Sequence, residues 1–68
     1  MKINQRKLDV GIARSGLSVM EFSKSAGVCL TTISKIRNNP KFKPELRTVG
    51  RIARALGVDV EEIVEGVA

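Results

Sequence analysis

Three residues, Gly27, Val28 and Cys29, separate two segments of helical periodicity, and this corner constrains the chain more than any other stretch. The segment before it, Val19 to Ala26, opens on a Ser18-x-x-Glu21 capping box, which satisfies free backbone N–H groups at a helix start. Leu17, just before the cap, is placed to staple onto Phe22. The segment after it, Leu30 to Arg37, carries Ile33 and Ile36 on one side. It ends at Asn38-Asn39-Pro40, because proline disfavours helix in the residue before it. Two helices joined by so few residues must cross steeply, as in a helix-turn-helix. Gly27 lets the chain take a positive φ there, and Val28 is the apolar plug beneath. With Ile33 and Ile36 turned inward, Leu30, Thr31, Ser34 and Lys35 are left on the outer side. A leucine exposed at the head of a helix is wasteful unless something contacts it.

Helical spacing runs through the rest of the chain, and strand alternation is seen nowhere. Gly16, Gly57 and Gly66, like Gly27, follow apolar-periodic segments, where a helix C-terminal glycine is expected. The spacing predicts a first helix from Asn4 to Ser15, burying Leu8 and Ile12 with Ala13 beside them. Its other side carries Arg6, Lys7 and Arg14. A fourth helix, Glu45 to Leu56, follows Pro44, a residue suited to a first helical turn. It repeats apolar residues at Leu46, Val49, Ile52, Ala53 and Leu56. Gly50 inside it costs about 1 kcal/mol relative to alanine, a cost that close helix contact would justify. A fifth helix is expected after Asp59 as cap, with Glu62 three residues on and Val58 stapled to Ile63. Its apolar stripe is Val60, Ile63 and Val67. The expected fold is all-α: five short helices in one domain over residues 1–68, with the helix-turn-helix at about 18–37.

Composition removes several functions. The single cysteine excludes an internal disulfide framework, and without histidine a zinc site lacks its ligands. Ser-His and Cys-His catalytic pairs are excluded for the same reason. The carboxylates gather at one end without a partner base, so the chain reads as no enzyme and as needing no cofactor. Phe22 and Phe42 are the only aromatic residues, which argues against base-stacking platforms for single strands. No apolar run is long enough for a membrane span or a signal peptide, and a cytoplasmic protein is expected.

Charge supplies the positive clue. Lys and Arg number 12 against 7 Asp and Glu, a net of +5. Residues 1–55 hold all 12 basic residues and only Asp9, Glu21 and Glu45, a net of +9. Residues 56–68 hold no basic residue and four acids, Asp59, Glu61, Glu62 and Glu65, a net of −4. A basic body of this size is often a nucleic-acid binder.

The stretches LSVMEFSKSAGVCLTTISKIRNN (17–39) and VGRIARALGVDVEEIV (49–64) together resemble the Cro and phage-repressor class of helix-turn-helix regulators, the XRE type. The resemblance covers residues 5 to 66 and implies a lambda-repressor-like fold and a repressor-like regulator of transcription that binds double-stranded DNA. It implies that the helix at about 30–37 lies in the major groove. The positions matching base-reading residues are Leu30, Thr31 and Lys35, with Thr32 and Ser34 beside a base edge or the backbone. Lysine donates to guanine O6 or N7, and a leucine or threonine methyl touches the thymine methyl. Phosphate contacts are expected at the second helix's N-terminus, from free N–H groups at Ser18 and Val19. They are also expected from Asn38, Asn39, Lys41, Lys43 and Arg47 after the recognition helix. Lys2, Arg6, Arg14, Arg51 and Arg54 are read as solubilising charges. Related sequences often have Ser or Thr where Cys29 stands, and the poorer cap should weaken this helix start by about 1 kcal/mol. Cys29 is either a small semi-buried residue or a thiol acidified by the helix start.

One recognition helix reads only a few base pairs, so two copies are expected to act together on a near-palindromic operator, as a homodimer that is weak in solution. The expected contact is the apolar set Val58, Val60, Val64 and Val67. The rival reading is a protein-interaction module of the same fold, an antitoxin or co-regulator with weak DNA binding. Non-specific binding to nucleic acid or an acidic membrane surface rests on charge alone and leaves the corner unexplained.

Overall fold

A computed structural model describes residues 1–65. In chain order it has β1 (Lys2–Ile3), α1 (Gln5–Ser15), α2 (Val19–Ala26), α3 (Leu30–Asn38), α4 (Leu46–Leu56), a single 3-10 turn (Val60–Glu62) and β2 (Val64–Glu65). The fold is helical, with four α-helices among the described residues rather than the five expected.

Each helix starts and stops where its local chemistry directs. Asn4 caps α1, its side chain accepting from the Lys7 N–H at 2.9 Å. Leu8 and Ile12 are buried one turn apart, as their spacing requires. Ala13 points outward instead of joining them. Gly16, Gly27 and Gly57 end α1, α2 and α4 at φ near 70°, a left-handed conformation that a Cβ would strain. On α4 the buried residues are Val49, Ile52 and Ala53. Leu56 is half-buried, and Leu46, expected on the same stripe, is 68% exposed. Glu45 is the cap rather than the first helical residue, and Pro44 lies buried just before it.

The core joins all these elements: Phe22 and Ala26 of α2, Ile33 and Ile36 of α3, Val28 at the corner, and Ile3, Ile63 and Val64 from the two ends. Ser23 is the one buried polar residue among those described, and its hydroxyl donates to the Met20 carbonyl at 2.7 Å. Leu17 remains exposed, so the expected staple onto Phe22 leaves much of it in solvent.

The acidic end departs from the expected fifth helix. Asp59 and Glu62 do begin a turn: the Asp59 N–H donates to the Glu62 carboxylate at 3.1 Å, and the Glu62 N–H to the Asp59 carbonyl at 3.0 Å. The turn stops after Glu62, and the chain extends to pair antiparallel with β1, Ile3 opposite Val64 and Lys2 opposite Glu65. The Asn4 N–H donates to the Ile63 carbonyl at 2.7 Å and closes the ladder. Adjacent β-branched residues, Ile63 and Val64, are both buried, and such side chains favour extended backbone. A strand, unexpected from the sequence, therefore replaces the helix.

Gly50 is not a point of close helix contact, because a Cβ built there meets nothing within 4 Å. Gly11 is: its Cβ would lie 2.6 Å from Leu56 Cδ2, so α1 and α4 approach through it. Gly50→Ala is accordingly expected to stabilise the fold by roughly 0.5–1 kcal/mol, read as a higher urea midpoint.

Candidate nucleic-acid interface

The corner between α2 and α3 is built as its residues require. Gly27 takes φ 70°, its N–H donating to the Lys24 and Ser23 carbonyls, and the Val28 N–H donates to Ser23 at 3.0 Å. Val28 is buried under the corner. Arg51, expected only to keep the chain soluble, reaches from α4 and donates to the Gly27 carbonyl at 3.3 Å.

Helix α3 is fixed from below by Ile33 and Ile36 and from the side by α1. The Gln5 side-chain amide donates to the Ile36 carbonyl at 3.0 Å, and the Arg37 Nε donates to Asp9 at 2.7 Å. Leu30, 38% exposed, with Thr31, Ser34 and Lys35, forms the solvent-facing side, and Thr32 is half-buried at its edge. The Lys35 Nζ lies 5.8 Å from the centre of the Phe42 ring, within cation–π range. Sequence spacing did not show Gln5, Asp9, Arg37, Arg51 or Phe42 as supports, since each acts on a residue in another element.

Beyond α3, the Asn39 N–H donates to the Lys35 carbonyl at 2.8 Å, and the Asn39 side chain accepts from the Lys41 N–H at 3.0 Å. This folds the loop back and leaves Lys41 and Lys43 exposed, with Arg47 exposed in the first turn of α4. Asn38 is the last residue of α3 and is also exposed.

At the start of α2 the capping box is complete. The Ser18 hydroxyl accepts from the Glu21 N–H at 3.1 Å, and the Ser18 N–H donates to the Glu21 carboxylate at 2.9 Å. The Ser18 amide is therefore not free for an anion, contrary to expectation. Val19, at the first helical position, has no carbonyl partner within its own helix. The two bonds from Ser18, backbone first, hold the Glu21 carboxyl below its usual pKa and keep it ionised.

Cys29 caps α3 without a side-chain hydrogen bond and is exposed, not semi-buried. The Thr31 N–H, then its hydroxyl, the Thr32 N–H and the Lys35 charge pull the thiol below its ordinary pKa. More thiolate is thus present at a given pH, and alkylation by maleimide should begin at lower pH in the folded chain than in the urea-unfolded one. Cys29→Ser, which restores a good cap, is expected to raise stability by about 1 kcal/mol in chemical denaturation.

A short α2, a three-residue glycine corner and an α3 with a clean outer face define a helix-turn-helix. The family model of the Cro/C1-type HTH DNA-binding domain matches residues 7–68, and the chain belongs to that family of DNA-binding proteins. No curated protein and no solved structure matches the chain. Among the described residues, no helix is long and apolar enough to cross a membrane.

Proposed function

We propose that the chain is a sequence-specific regulator of transcription, repressor-like, whose α3 enters the major groove of double-stranded DNA. The observation that carries this reading is the division of α3. Ile33 and Ile36 are buried and its C-terminal turn is tied to α1, while Leu30, Thr31, Ser34 and Lys35 face solvent as one surface. In this reading Leu30, Thr31 and Lys35 touch base edges, and Thr32 and Ser34 touch a base edge or the backbone. Lys41, Lys43, Arg47, Asn38, Asn39 and the free Val19 N–H at the start of α2 hold phosphates, whereas the Ser18 amide, bonded to Glu21, does not.

The regulator acts as a weak homodimer that forms on a near-palindromic operator, its two α3 helices about 34–36 Å apart. Val58 is 37% exposed and Val60 half-buried, so both are open to a second copy. Val64, 7% exposed, faces the core and is unsuited to that contact, and Val67 lies outside the described residues.

Selecting bound sites from a random duplex library tests the whole reading, with a near-palindromic consensus as the expected result. An absence of any consensus would refute sequence-specific binding. On the selected site, Lys35→Ala and Thr31→Ala should each cost about 1–3 kcal/mol and relax preference at one position. Lys43→Ala should weaken selected and random duplexes alike, as loss of a phosphate contact does. Equal weakening of both duplexes by Lys35→Ala would remove that residue from base readout.

A further inference from the structure

A groove of about 720 Å³ runs between α1 and the junction of α4 with the 3-10 turn. Its apolar lining includes Val10, Gly11, Leu56 and Val58. Val10 is 43% exposed on this groove. Arg6, Lys7 and Arg14 line the α1 wall. The ion pairs among the described residues are Lys2–Glu65 and Asp9–Arg37, so none of these three cations has a carboxylate partner there. Glu62 stands on the opposite wall.

We propose that this groove is a docking site for an acidic amphipathic helix of another protein. The argument is charge complementarity on a concave apolar surface. An apolar stripe at i, i+3, i+4 and i+7 fits a groove of this kind, in the mode by which grooves take amphipathic helices. Carboxylates on one flank of that helix meet Lys7 and Arg14. Glu62 repels them from the other flank, which fixes the helix's orientation. From Lys7 to Arg14 is seven residues of α1, or about 10 Å, which suits an occupant of two to three turns. A second copy fits less well, since laying this concave surface against itself leaves the groove unfilled.

The groove also lies away from α3. Asp9 and Gln5 tie α1 to α3, and Gly11, two residues beyond Asp9, points roughly 200° round the helix from it. A helix docked beside Gly11 therefore leaves the outer face of α3 open, so the partner and DNA bind together.

The test uses the full chain and three synthetic peptides of one length. The first has leucines at i, i+3, i+4 and i+7 with glutamates on one flank, the second replaces glutamate by lysine, and the third scrambles the first. Amide chemical shifts are followed by NMR. The acidic peptide should move Val10, Gly11, Arg14, Leu56 and Val58, leave Leu30 to Lys35 in place, and do so with duplex DNA bound or absent. Lys7→Gln with Arg14→Gln should weaken it by about 3- to 10-fold, as two surface charge contacts would. Lys2→Gln with Lys24→Gln, the same loss of charge elsewhere, should not. Equal binding of the scrambled or lysine peptide, or shifts centred on residues 30–47, would overturn the proposal. So would shifts of Val10, Gly11 and Arg14 that depend on protein concentration without peptide, because a second copy would then fill the groove rather than meet only the Val58 and Val60 edge proposed above for the dimer. Loss of DNA binding with groove binding intact would refute only the function proposed above.

Discussion

Raising salt from about 50 to about 200 mM is expected to weaken DNA binding on the order of 10²–10³-fold per subunit. The magnitude follows from counterion release: each neutralised phosphate adds about −0.9 to the slope of log K against log salt. Lys35, Lys41, Lys43 and Arg47 are exposed on or just beyond α3, and none has a carboxylate within ion-pair distance among the described residues. Four to six such contacts give a slope of roughly −4 to −5. Arg37, already held by Asp9 at 2.7 Å, should add little, and Arg37→Gln should leave the slope nearly unchanged. Anisotropy titrations of a labelled duplex at several salt concentrations read the slope directly. A slope near zero would remove DNA as the partner.

Ile3→Ala should be among the most damaging substitutions for stability, although Ile3 precedes residue 7, where the family match begins. Ile3 is 2% exposed, packs in the core and pairs with Val64. Truncating a buried isoleucine costs about 2–5 kcal/mol. A 68-residue chain has a total stability of only about 3–10 kcal/mol, at about 0.05–0.15 kcal/mol per residue. The variant should therefore be partly unfolded at 37 °C or lose a large part of its urea midpoint, followed by circular dichroism. Lys2→Ala is the control, since its 3.7 Å contact with Glu65 is exposed and worth at most about 1 kcal/mol. Melting of Ile3→Ala at the wild-type midpoint would mean that the ladder does not hold the fold.

The Ile3–Val64 pair also marks where sequence reasoning stopped. Features written in neighbouring residues were legible: the Ser18–Glu21 cap, the Gly27 corner, and Ile33 and Ile36 turned inward on α3. At the acidic end the local start signal, Asp59 with Glu62, was also sound, and it does begin a turn. What ends that turn is β1, at the other end of the chain, and no local periodicity carries such a pairing. Ala13 and Leu46 went astray for another reason: period locates an apolar stripe, while its width depends on neighbouring elements. The supports of α3 were illegible for the same cause as β2. Gln5, Asp9 and Arg51 reach residues 31, 28 and 24 positions away. At the interface itself, the outward direction of Leu30, Thr31, Ser34 and Lys35 was readable from Ile33 and Ile36 alone.

The Phe42 ring beneath Lys35 gives the proposed reading head an internal competitor. In the free chain the ammonium rests against the aromatic face, a contact worth about 0.5–1 kcal/mol at an exposed site. A base edge must outbid the ring, so a mismatched duplex that offers Lys35 a poor acceptor leaves it at home. The ring thereby sharpens discrimination while lowering affinity a few-fold, and replacing Phe42 by leucine should shift that balance the other way. The exchange is also visible: protons on the Lys35 ε-carbon, shielded over the ring in the free protein, should move downfield when the correct operator is added.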